Sequence, residues 1–169
     1  MEIVENVAVK VRIDSDKVGL ITNYIEKSEV LEDDGKQAEV LVHWGLEESR
    51  VLKNLGIKDV PSPILEQYDW KGLYKPFDHQ KTTASFLTLH RKAFCFNEQG
   101  TGKTPVGIFI LGKLLNEGLI QKPLVLAPLS LLSNSAWFGD LQKFSDFKPV
   151  NLRDPDSLFC HGQMNFINY

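Results

Sequence analysis

The order of apolar and polar residues predicts secondary structure in the first third of the chain. Residues 7–13 (Val-Ala-Val-Lys-Val-Arg-Ile) alternate between apolar and mostly polar side chains, which is typical of a strand with one buried face. The elements predicted for this part are, in order, strand 7–13, a helix with its apolar stripe at 18–25, a short strand 29–31, strand 40–44 and helix 47–55. Asp34-Gly35 lies between the last two strands and favours a hairpin turn. The pattern therefore predicts a small α+β unit of order β-α-β-β-α.

Apolar runs alternate with helical patterns in the second part of the chain. The predicted elements are, in order, a helix from His79 to His90, a buried strand Ala93–Phe96, a helix from Lys103 that ends before Gly118, a strand Leu124–Ala127 and a helix Ser133–Phe144. Repeated strand and helix units of this kind imply a parallel sheet with helices on both faces. The fold class that we predict is α/β.

A proline-rich stretch separates the two parts. Pro61-Ser62-Pro63 interrupts regular structure, and residues 67–72 are typical of a connector. We therefore predict a small α+β accessory domain at residues 1–60, a linker at 61–72 and a parallel α/β domain at 73–169.

Composition and charge narrow the class of protein. No apolar run approaches the roughly 20 residues of a membrane span, and the first residues are acidic, unlike those of a signal peptide. We therefore expect a cytoplasmic protein that does not associate with membranes. Residues 1–70 contain 8 Lys and Arg against 15 Asp and Glu, whereas residues 71–169 contain 11 against 7. The mildly basic second part suits polyanionic ligands.

The strongest chemical signal is the stretch Asn97-Glu98-Gln99-Gly100-Thr101-Gly102-Lys103-Thr104. A glycine-rich turn between a strand and a helix allows successive backbone N–H groups to surround a phosphate, at the positive end of the helix dipole. Lys103 can then reach the β- and γ-phosphates, and the Thr104 hydroxyl can ligate Mg²⁺. The strict pattern has Gly where this chain has Asn97. The alternative is a glycine turn ahead of an ordinary helix.

Three stretches together resemble a known family. They are Lys75-Pro76-Phe77-Asp78-His79-Gln80, the loop 97–104, and Val125-Leu126-Ala127-Pro128-Leu129-Ser130-Leu131-Leu132. Their order and approximate spacing resemble those of superfamily-two helicases, most closely the Swi/Snf-like DNA translocases and their phage relatives. Glu98, Gly100, Gly102, Lys103 and Thr104 match the family's first motif, in which Asn97 replaces an aspartate.

The resemblance implies a RecA-like motor domain that binds ATP and Mg²⁺ and acts on nucleic acid, DNA rather than RNA. It implies that Gln80 reads adenine; the alternative is that Gln80 is an ordinary polar residue in the first helical turn. The residues that would hold the nucleotide are Gln80, Gln99, Gly100, Thr101, Gly102, Lys103 and Thr104, with Lys103 also catalytic and Thr104 on the metal. Pro128, Leu129 and Ser130 would contact the DNA backbone; otherwise Ser130 caps the helix that follows. The host would be a bacterial or phage-infected cell.

The chain also departs from the family pattern. Pro105 follows the loop threonine and has no N–H to offer a phosphate. No acidic motif follows a third strand, and phosphoryl transfer needs such a carboxylate. We therefore expect an N-terminal fragment of a helicase or translocase that does not hydrolyse ATP alone. One alternative is a binding module with a vestigial loop. Another is an unrelated P-loop enzyme such as a nucleotide kinase, but such an enzyme has no reason to carry the stretch at residues 127–130.

Overall fold

The structure is a computed structural model that describes residues 1–133 and 136–169. It comprises two compact units. Unit 1 consists of Met1–Tyr68 with Ser85–Ala93, and unit 2 consists of Asp69–Ala84 with Phe94–Tyr169. The predicted boundaries, 1–60 and 73–169 around a linker, differ from this division.

An antiparallel sheet forms the centre of unit 1. Its elements are β1 (Glu2–Val4), β2 (Ala8–Asp14), a 3-10 turn (Ser15–Lys17), α1 (Val18–Tyr24), β3 (Ser28–Asp33), β4 (Gln37–His43), α2 (Leu46–Asn54) and α3 (Ile64–Gln67). The strand order is β1-β2-β4-β3, with every neighbouring pair antiparallel. The predicted order β-α-β-β-α is confirmed, and β1 and α3 are additional elements.

The alternating pattern of β2 and β4 places their apolar residues on one face of the sheet. Val9 pairs with Val42 and Val11 with Val40, and all four are at most 1% exposed. These valines form one core cluster with Ile21, Leu52, Trp44 and other apolar residues.

Residues 61–68 pack into unit 1, although the sequence predicts that they belong to a linker. The Trp44 indole Nε1 donates to Pro61 O at 3.0 Å, and Ser62 and Ile64 are fully buried. The Ser62 hydroxyl also bonds to that of Thr88 at 2.8 Å, within the same unit.

Unit 2 is built on a parallel sheet. Its elements are the first half of α4 (Asp78–Leu89), α5 (Lys103–Asn116), β5 (Leu124–Ala127), α6 (Leu129–Ser133), α7 (Ala136–Phe144), β6 (Pro149–Asn151) and β7 (Met164–Asn168). The strand order is β5-β7-β6, and both pairs are parallel. The core cluster comprises Ile108, Ala127, Leu132, Leu141, Met164 and Phe166. Residues 134 and 135, which fall within the predicted helix 133–144, lie outside the described residues.

Two expectations for unit 2 are wrong. Residues 93–96 form no strand in the described part of the chain, and Phe94 and Phe96 are 82% and 89% exposed. Leu124 and Leu126 are 45% and 59% exposed on β5, so the sheet is not covered on both faces. The two errors have different causes. Residues 93–96 have no neighbouring strand in the described part of the chain to complete their hydrogen bonds, whereas β5 pairs with β7 but has an exposed face.

Among the described residues, no helix is both long and apolar enough to cross a bilayer.

Candidate functional site

The glycine-rich stretch adopts a tight turn that leads directly into α5. Gly100 and Gly102 both have φ of +78°, in the left-handed region that favours glycine, and Gly102 is the N-cap of the helix. Lys103 is the first helical residue. The predicted position of the loop before a helix is therefore correct, although the segment before it belongs to no sheet in the described part of the chain.

The Lys103 side chain folds back over the loop. Its Nζ donates to Asn97 O at 2.8 Å and to Glu98 O at 2.7 Å. The Thr101 hydroxyl also donates to Glu98 O, at 2.8 Å. The loop therefore curls around a cationic group, with backbone carbonyls directed towards it.

The backbone donors of the loop have capacity for a ligand. Within residues 1–133 and 136–169, the backbone hydrogen bond that begins α5 runs from Val106 N to Gly102 O. Unpartnered N–H groups are normal at a helix start and give it a partial positive charge. Together with the Lys103 ammonium, they make an environment that suits an anion.

Gln80 is tied to the loop from the first turn of α4. Its Oε1 accepts a hydrogen bond from Phe77 N at 3.0 Å, as the third residue of a capping box does. Its Nε2 donates to Thr101 O at 3.2 Å, and the side chain is only 7% exposed. The structure thus places Gln80 beside the loop, where its carboxamide both caps α4 and holds the loop.

Three further residues, His79, Thr83 and Asn97, contact this site, although the sequence assigns none of them a role in it. His79 Nε2 donates to Thr101 O at 3.0 Å, and its ring stacks on Phe77 with centroids 5.7 Å apart and planes 14° apart. Asn97 Nδ2 donates to the Thr83 hydroxyl at 3.0 Å. Spacing alone could have indicated the shared face of α4, since residues three and four apart are neighbours on a helix.

No protein-family model, curated protein or solved structure matches this chain. The interpretation of the site therefore depends on its own geometry.

The remaining predicted site residues lie at the helix starts of unit 2. Thr104 and Pro105 are in the first turn of α5, where proline is tolerated, and Pro105 is buried. Pro128 follows the end of β5, and Leu129 and Ser130 begin α6. Ser130 is the second residue of α6, and its alternative role as a helix cap stays a prediction.

Proposed function

We propose that residues 97–104 bind the triphosphate of ATP with Mg²⁺, and that this chain supplies nucleotide contacts to a nucleic-acid helicase or translocase of the superfamily-two type, through a RecA-like domain. The observation that supports this most is the position of Lys103. It begins α5, and its ammonium turns back over a loop that contains two left-handed glycines.

The ammonium has the donors for both its present contacts and a phosphate. An ammonium carries three N–H donors, and two of them go to Asn97 O and Glu98 O. The third, with the backbone N–H groups of residues 100–104, would hold β- and γ-phosphate oxygens. Pro105 removes one N–H from the first turn, so we expect weaker binding than a loop with a full set of amides gives.

Thr104 is the residue that would hold Mg²⁺ here, through its hydroxyl, since it follows the loop lysine directly. Bound Mg²⁺ would neutralise part of the charge on the β- and γ-phosphates.

Gln80 retains capacity to read a base while holding the loop. A carboxamide has two N–H donors and an oxygen with two lone pairs. One N–H goes to Thr101 O, and one lone pair accepts Phe77 N. The other N–H and lone pair match the donor and acceptor pair that adenine presents. This supports a preference for ATP over GTP.

Isothermal titration calorimetry tests nucleotide binding. The wild-type chain should bind Mg-ATP with a Kd of about 1 mM or tighter and should bind Mg-GTP more weakly. Lys103→Ala should reduce the affinity for Mg-ATP at least tenfold, because hydrogen bonds from a charged group contribute about 1.5–3 kcal/mol each. Lys122→Ala is the control, because Lys122 lies in the same unit and its ammonium lies over the Phe159 ring. No binding, or equal binding by the two variants, would overturn the proposal and favour a binding module with a vestigial loop.

The DNA-binding part of the proposal concerns Pro128, Leu129 and Ser130. These residues follow the carboxyl end of a parallel strand, where ligands of α/β proteins commonly bind. Fluorescence anisotropy with single-stranded DNA, duplex DNA and RNA should detect binding that weakens between 50 and 200 mM salt, as expected for phosphate contacts. Ser130→Ala should weaken DNA binding without changing Mg-ATP affinity. If Ser130→Ala leaves DNA binding unchanged, these residues do not belong to the interface.

A further inference from the structure

One face of α4 holds both ends of the glycine-rich loop. At the end next to α5, Thr101 O accepts hydrogen bonds from Gln80 and His79. At the other end, the Asn97 side chain donates to Thr83 Oγ1. Residues 79, 80 and 83 project from adjacent turns of the helix, and all of these residues belong to unit 2. The loop is therefore attached to a rigid element at its beginning and at its end.

The contact between Asn97 and Thr83 has a defined direction. The Thr83 hydroxyl gives its only proton to His79 O, at 2.8 Å. It can therefore only accept from Asn97, and the Asn97 carboxamide supplies the N–H. The backbone carbonyl of Asn97 also accepts a hydrogen bond from the Lys103 ammonium. Asn97 thus connects α4 to the cation of the site through one residue.

We propose that Asn97 is a positioning residue: its hydrogen bond to Thr83 holds the Asn97 and Glu98 carbonyls where they orient the Lys103 ammonium for a nucleotide phosphate. This inference rests on the nucleotide-binding function proposed above. Asn97 does not itself contact the ligand, so its effect passes through Lys103 and the loop backbone.

Two neighbouring threonines provide a matched test. Thr83→Val removes the acceptor for Asn97 together with the bond to His79 O. Thr82→Val removes the same type of bond on the same helix, from Thr82 Oγ1 to Asp78 O at 3.0 Å. Within the described residues, Thr82 forms no hydrogen bond with the loop. Thr83→Val should weaken Mg-ATP binding about fivefold, the effect of one lost hydrogen bond of about 1 kcal/mol, and Thr82→Val should not.

Two more variants separate positioning from a general loss of structure. Thr83→Ser keeps the hydroxyl and should therefore keep the wild-type affinity for Mg-ATP. Asn97→Ala should weaken binding as much as Thr83→Val, and the double variant should show no further loss because both changes break the same contact. Amide hydrogen exchange of residues 98–102 in the ligand-free protein should be faster in Thr83→Val than in Thr82→Val.

The outcomes are distinct. A wild-type chain that binds Mg-ATP and a Thr83→Val variant that binds equally well would overturn this inference alone. Equal losses in Thr83→Val and Thr82→Val would also overturn it, since they would indicate a helix effect. A wild-type chain that binds no nucleotide would remove the proposed function and this inference together.

Discussion

Alanine at Gly102 should damage the loop more than alanine at Gly100, although both glycines have the same backbone conformation. Each has a φ of +78°. A Cβ at Gly102 would overlap Gln80 Nε2, whereas a Cβ at Gly100 would meet no atom within 4 Å. The two substitutions therefore share the cost of a left-handed alanine and differ in the displacement of Gln80.

The magnitudes follow from these contacts. A left-handed conformation costs a residue with a Cβ about 1–2 kcal/mol. Displacing the Gln80 carboxamide breaks its bonds to Thr101 O and Phe77 N, each of which contributes about 0.5–1.5 kcal/mol. Gly100→Ala should therefore destabilise unit 2 by about 1–2 kcal/mol, and Gly102→Ala by about 2–5 kcal/mol.

Urea unfolding followed by circular dichroism measures both costs. Repeating the pair in a Gln80→Ala background tests the cause, because the overlap is then absent and Gly102→Ala should cost no more than Gly100→Ala. Equal costs at the two glycines in the wild-type background would refute the assigned role of Gln80. A difference that persists without the Gln80 side chain would refute it as well.

Three further predictions concern the rest of the chain. Trp44→Phe should lower the stability of unit 1 by about 1–3 kcal/mol in thermal melts, because it leaves the part-buried Pro61 carbonyl without its indole donor; an unchanged Tm would contradict this. Phe166→Ala should cost about 3–5 kcal/mol in urea unfolding, since the ring is fully buried, whereas Phe94→Ala, at an 82% exposed ring, should cost little. The hydrogen bond from Lys17 lowers the pKa of Asp14 below its ordinary value of 3.8, so its stabilising effect is complete above that pH and is lost as the pH falls further. Asp14→Asn should therefore flatten the acid side of the stability profile, and an unchanged profile would exclude this contribution.

The sequence predicts unit 1 well because its signals are local. Alternation in residues 8–14 and 37–43 determines which side chains face the core, and the Asp34-Gly35 turn determines that β3 and β4 are neighbours. Residues 61–68 are different. Their prolines indicate irregular structure correctly, but only the distant contact with Trp44 shows that the segment packs against unit 1.

The parallel sheet was harder to predict than the antiparallel one, because its strands are far apart in the sequence. β5 pairs with β7, about forty residues later, and β6 joins on the other side of β7. No turn signal connects such strands. Residues 93–96 have the same apolar character as β5, and nothing in their composition shows that they lack a neighbouring strand in the described chain.

The same distinction applies to the candidate site. The glycines, Lys103 and Thr104 are recognisable because their spacing is fixed by one local turn. The residues that hold this turn are 14 and 21 positions away from their partners, as the pairs Thr83–Asn97 and Gln80–Thr101 show. A sequence motif therefore identifies the atoms that would meet a phosphate, whereas the rigidity of their arrangement depends on α4. For this reason, substitutions on α4 test the proposed function as directly as substitutions in the loop.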